Sequence, residues 1–134
     1  MADLSVTAAS VAYSSGERET GTAGETVTAG MAVYKSSSDG LLYKADCNAS
    51  GKDATYGIAL HDSIVNRVLT IQKSGYITIG ATVAVGTVYV QSGTAGGICP
   101  WADLVTSDKL TVIGYGYSTT QLLLQLNATG IAHA

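Results

Sequence analysis

The sequence predicts an all-β fold, a small β-barrel or β-sandwich, and three observations predict it. Candidate strands are short, alternate apolar residues with Thr, Ser or Gln, and recur at the even spacing of sandwiches and barrels. Charged residues make up only 13% of the 134-residue chain, while Gly, Thr, Ser, Ala and Val abound; this is not the charge-rich, apolar-poor composition of disorder. No apolar repeat of helical period is sustained for three turns. The chain also echoes itself about 56 residues on: Gly24-Glu-Thr-Val-Thr-Ala-Gly30-Met-Ala-Val-Tyr34 lies against Gly80-Ala-Thr-Val-Ala-Val-Gly86-Thr-Val-Tyr-Val90. The echo extends from Ser38-Asp-Gly40-Leu-Leu42 to Ala95-Gly-Gly-Ile98 and from Tyr56-Gly-Ile-Ala-Leu60 to Ile113-Gly-Tyr-Gly-Tyr117. Two copies are too few for a solenoid, so they predict one domain with a pseudo-twofold internal repeat, its halves spanning about 24–75 and 80–127.

Residues 1–24 read as an extended N-terminal arm ahead of a single domain over 25–134. Leu4, Val6, Val11 and Tyr13 are set among small polar residues, and Gly21-Thr-Ala-Gly24 closes the segment as a turn cluster. Either an edge strand or a segment that orders on a partner fits that pattern. Strand candidates then follow at 31–35, 41–45, 55–60, 67–73, 75–79, 87–91, 110–117 and 121–126. Asp39-Gly40 predicts a hairpin, because two-residue turns of this kind need φ > 0 at both positions. Lys73-Ser-Gly75-Tyr76 predicts a second one. Pro100, with its preset φ, opens a single helical turn over 100–105.

The charge pattern bears on function. Fourteen of the 17 charged residues lie at or before Lys73, and none falls between Lys73 and Asp103 or after Lys109. A free surface normally carries mixed charge throughout. Strands with uncharged outer faces suit packing on another protein. The net charge of −3 provides no basic footprint for nucleic acid. Apolar runs such as Leu122-Leu-Leu124 are far too short to span a membrane, and Met1-Ala-Asp-Leu4 does not open a secretory signal. Cys47 and Cys99 lack metal or redox spacing and read as free thiols of a protein made in the cytosol.

No constellation announces a reaction, and the sequence predicts neither enzyme activity, nor a metal, nor a cofactor. His61-Asp62 is the nearest approach to a catalytic pair. Adjacent strand residues point to opposite faces, and no nucleophile accompanies them. Ser36-Ser-Ser-Asp-Gly40 has one carboxylate, too few for calcium. Thr94-Ala-Gly-Gly97 lacks the Lys and the helix of a phosphate loop. His133 stands apart from His61, and the sequons at Asn48 and Asn127 have no secretory context. Trp101, following Pro100, is the leading contact residue, since Trp anchors interfaces disproportionately.

The runs Gly24–Lys35, Asp39-Gly40 and Tyr43-Lys-Ala-Asp46, with Gly57-Ile-Ala59, Gly80-Ala-Thr-Val83 and Gly96-Gly-Ile-Cys-Pro100-Trp-Ala-Asp-Leu104, resemble the head decoration (capsid cement) family of tailed bacteriophages. The similarity covers nearly all of the chain after residue 24 and rests on turn and core residues. It implies a β-tulip-like domain, often a homotrimer, bound to the major capsid protein on the outside of the virion and synthesised in the host bacterial cytoplasm. It carries no catalytic residue, no nucleic-acid partner and no membrane. The interface candidates are Leu4, Val6, Val11, Tyr13, Pro100, Trp101 and Leu104. A virion-displayed binding module, such as a glycan-binding or fibre domain, is the alternative, and it would use Trp101 or tyrosines in a polar groove.

Overall fold

A computed structural model describes residues 3–47, 52–104 and 109–132. It is all-β, with two antiparallel sheets that pack as a small sandwich and do not close into a barrel. Among the described residues eleven strands make up the sheets: β1 Val11–Ser15, β2 Arg18–Thr22, β3 Ala32–Lys35, β4 Leu42–Lys44, β5 Gly57–Ala59, β6 Val68–Gln72, β7 Ser74–Ile79, β8 Val88–Gln91, β9 Ile98–Pro100, β10 Lys109–Gly116 and β11 Gln121–Ala132. One sheet, sheet A, has the order β1-β7-β11-β10-β8-β9; the other, sheet B, has the order β2-β6-β5-β3-β4. Among the described residues the only helical turns are the short 3₁₀ turns Ala8–Ser10 and Trp101–Asp103.

Apart from β1, the two sheets have the same plan. In each, a leading strand (β2 or β7) borders the last strand of its unit (β6 or β11), and a hairpin (β3-β4 or β8-β9) continues the sheet beyond β5 or β10. Registers agree at the spacing of the sequence echo: Val33 faces Lys44 and Gly57, as Tyr89 faces Pro100 and Gly114. Turn bonds repeat too. Val27 and Ser63 are joined as Val83 and Thr119 are, and Gly30 donates to Ala59 as Gly86 does to Gly116. The cores follow. Ala23, Val27, Val33, Leu42, Leu69 and Ile71 cluster in sheet B, and their counterparts Ile79, Val83, Tyr89, Ile98, Leu122 and Leu124 cluster in sheet A. Strand alternation explains this, because one face of each strand supplies its sheet's own cluster.

Two features differ from the sequence expectations. The segment read as an arm belongs to the sandwich: β1 is the edge of sheet A against β7, and β2 is the edge of sheet B against β6. The boundary at residue 24 therefore divides nothing, and of the two readings of this segment the edge strand holds. Its weak alternation reflects one-sided burial at a sheet edge, while Leu4 and Val6 ahead of it fill space against the sheet A cluster. Lys73-Ser-Gly75-Tyr76 is not a hairpin either. β6 and β7 are in different sheets, and the chain passes from one to the other there beside the β1-β2 crossing at Gly16.

The Asp39-Gly40 turn forms, but it is longer than a two-residue turn. Gly40 N–H donates to the Ser36 carbonyl at 2.9 Å, and only Gly40 has positive φ, at +73°. The extra residues let Asp39 cap the turn, its Oδ1 accepting from Leu41 N–H at 2.9 Å and its Oδ2 from the Tyr43 hydroxyl at 2.6 Å. Both bonds favour the ionised carboxyl: the Tyr43 hydroxyl first, then Leu41 N–H, hold Asp39 below its ordinary value, and the same carboxylate pushes the Tyr43 phenol up.

Candidate functional site

The strongest candidate site is a surface, and charge sorting between the sheets creates it. Among the described residues, sheet B carries Arg18, Glu19, Lys35 and Lys44 in its strands, whereas Lys109 is the only charged residue in the strands of sheet A. A row of large side chains crosses the outer face of sheet A. Val88 on β8 and Tyr115 on β10 are cross-strand partners. Trp101 follows Pro100, the β9 partner of Tyr89, and so continues the row on the other side. Their exposures are 39%, 36% and 52%. Tyr117, also exposed, extends the patch and packs against the Tyr76 ring with centroids 4.6 Å apart. Exposed large apolar groups are informative when they cluster, and the strands that carry these hold a single charged residue, Lys109.

The other sequence candidates fall elsewhere. Leu4, Val6 and Val11 are half-buried and pack against the sheet A cluster of their own chain. Tyr13 is exposed on β1, with the Arg18 guanidinium 4.1 Å from its ring centroid and its hydroxyl donating to Gly16 O. Pro100 is half-buried in β9. Leu104, only 6% exposed, fills a third cluster with Cys47, Val90 and Cys99 and is thereby removed from the accessible surface. Both cysteines are buried. Val88 and Tyr115 escaped sequence reasoning; the echo could have shown them, because their counterparts in sheet B are Ala32 and Ile58.

His61 and Asp62 line a pocket of about 560 Å³ with Thr26, Val27, Ser63, Ile64 and Val68, but their polar atoms serve the backbone. Asp62 Oδ1 accepts from Ala29 N–H at 2.9 Å. His61 Nε2 accepts from Thr70 N–H at 2.9 Å, which puts the ring proton on Nδ1, where it meets Asp62 O. The pair thus ties the β5-β6 loop to its neighbours instead of forming a relay. Among the described residues no cluster of His, Cys, Asp or Glu has the makings of a metal site, and no helix is long and apolar enough to cross a membrane. His133 and Asn48 lie outside the described residues.

A polar knot decorates the opposite, charged sheet. Tyr56 OH donates to Glu19 Oε2 at 2.7 Å, and Lys73 Nζ lies 3.4 Å from Glu19 Oε1 and 4.1 Å from the Tyr56 ring centroid. The Tyr56 hydroxyl above all, with Lys73 next to it, holds the Glu19 carboxyl below its ordinary value. Burial pulls the Lys73 ammonium down, but Tyr56 and Glu19 outweigh it and leave Lys73 above its ordinary value. Such a knot ties β2 to the segments on either side of β5 and β6.

Compared with known protein families and with curated proteins, the chain matches none.

Proposed function

We propose that the protein is a structural component of a phage virion, a decoration or cement protein that binds the outer surface of the major capsid shell and stabilises it as a homotrimer. The observation that carries this reading is the charge-poor sheet A with its exposed row of Trp101, Val88 and Tyr115. Covering neutral Thr, Ser and Tyr costs far less than covering unpaired charge, and the apolar members contribute about 25 cal/mol per Å² buried. The family resemblance of the Gly24–Lys35 and Gly96–Leu104 runs points the same way. Repeated copies on a shell add weak footprints by avidity. On this reading the protein needs no catalytic residue, cofactor, nucleic acid or membrane, and it reaches the capsid exterior from the host cytoplasm.

The test is addition of purified protein to undecorated heads, with bound copies and head survival measured on heating. Saturable binding and a raised disruption temperature are expected. Absence of binding, together with specific retention on a glycan array, would replace this reading with the virion-displayed glycan-binding module.

A further inference from the structure

The two halves close the same turn with loops of different length. In the second half Val83 N–H donates to Thr119 O at 2.8 Å and Ile79 N–H donates to Thr120 O at 3.1 Å. The equivalent bonds of the first half run from Val27 N–H to Ser63 O at 2.9 Å and from Ala23 N–H to Arg67 O at 2.8 Å. Thr119 and Thr120 are neighbours in sequence, whereas Ile64-Val65-Asn66 intervenes between Ser63 and Arg67. The second half closes without such an insertion, so these residues are surplus to the fold. They are nonetheless held firmly. Arg67 N–H donates to Ile64 O at 3.1 Å, and Asn66 N–H donates to Ala23 O at 2.8 Å. Asn66 has φ at +65°, the one positive value outside glycine among the described residues. This fixed turn carries apolar side chains into solvent: Ile64 and Val65 are each 53% exposed, and Val68 just beyond is 59% exposed. An apolar cluster held rigidly in water marks a contact surface.

The patch is complementary to itself. Ile64, Arg67, Val68 and Asp62 line the hollow of about 560 Å³, whereas Val65, at the corner of the turn, stands outside that lining. A knob and a hole therefore lie side by side, flanked by one cation and one anion. Arg67 is exposed and forms no ion pair among the described residues. Asp62 is exposed too, and Ala29 N–H occupies only its Oδ1. Turning such a patch about a twofold axis sets knob against hole and cation against anion, each twice. We propose that the occupant of the hollow is a second copy of this protein, in an isologous dimer. Val65 of each copy enters the hollow of the other, and Arg67 of each pairs with Asp62 of the other. The inference goes beyond the reading above, since it needs no capsid and leaves the exposed row of sheet A uncovered.

Sedimentation of the purified full-length chain over a wide concentration range should show a monomer–dimer equilibrium. A chain that stays monomeric throughout overturns the proposal. Val65→Ser alters both sides of the contact and should raise the dissociation constant by about tenfold or more, with the melting temperature of the monomer unchanged. Removal of Ile64-Val65-Asn66 should abolish association and leave the fold intact, because Thr119-Thr120 closes the same turn directly. Should that deletion fail to fold, Val65→Ser carries the test by itself. Charge pairing is read by mixing. Arg67→Asp and Asp62→Lys, each shown by melting to be folded, should fail to dimerise alone and should associate when mixed, since both cross-pairs are then restored. A mixture that stays monomeric overturns the reciprocal pairing. Self-association that survives Val65→Ser and both charge variants sinks the interface, and a trimer with that indifference would do so while favouring the homotrimer of the reading above.

Discussion

Gly16 and Gly75 face each other where two chain segments cross between the sheets, each occupying the space a side chain on the other would need. A Cβ on Gly16 would lie 2.7 Å from the Gly75 Cα, and a Cβ on Gly75 would lie 2.6 Å from the Gly16 Cα. Both residues have positive φ, +118° and +83°, which L side chains rarely adopt. Backbone strain and collision therefore add. Gly16→Ala and Gly75→Ala should each destabilise the fold by about 2–4 kcal/mol, read from the denaturant midpoint at unchanged slope.

Gly40 separates the two effects. Its φ is also positive, but open space surrounds the missing Cβ. Gly40→Ala should cost only about 1–2 kcal/mol, the conformational penalty alone. Should thermal melts put it on a par with Gly16→Ala, the crossing is not the tight point described.

Gln72 holds the same crossing from inside. It is completely buried, and its Nε2 reaches the carbonyls of Ser15, Ser74 and Tyr76 at 2.8–2.9 Å, across both passing segments. Gln72→Leu keeps the volume and strands those acceptors, so a loss of about 2–3 kcal/mol is expected. Gln72→Glu sets a carboxyl against three carbonyls and should be worse, a difference that urea titration of both variants will resolve.

Acid should loosen the charged sheet before the neutral one. The Glu19 carboxyl is held below its ordinary value by the Tyr56 hydroxyl and then Lys73. Its contribution is therefore fully present above the ordinary carboxylate value and is lost as pH falls through the lowered one. Lys73 works in the opposite direction: its raised value makes its contribution complete below the ordinary ammonium value and lost as pH rises through the raised one. Glu19→Gln should flatten the acid limb of the stability profile slightly, because the pair is partly exposed and screened. Hydrogen exchange at β2 and β6 against pH is the direct readout.

Attachment to a shell through sheet A should depend little on ionic strength, because that face has few charges to screen. Binding to undecorated heads measured at low and at high salt should differ less than threefold in affinity. A steep salt dependence would move the contact to the charged sheet B.

Much of the architecture was written in the chain. Alternation placed eight strands within two residues of their observed starts, because half-buried strands must alternate. The echo marked Gly30 and Gly86, Val33 and Tyr89, Leu42 and Ile98 as equivalent, and these are turn and core positions, which constrain residue type. The charge gap after Lys73 marked what became sheet A. What the sequence left open was decided by contacts between distant segments. β1 and β2 alternate weakly because an edge strand buries only part of one face, so only pairing with β7 and β6 identifies them. β9, three residues ending in Pro100, is too short to register as a pattern. Gly75 looked like a turn residue because positive φ is common to turns and to close crossings; only the approach of Gly16 distinguishes them. The open row of Trp101, Val88 and Tyr115 appears only once the sheets are packed, because equivalent positions in one chain are buried or exposed according to which sheet lies over them.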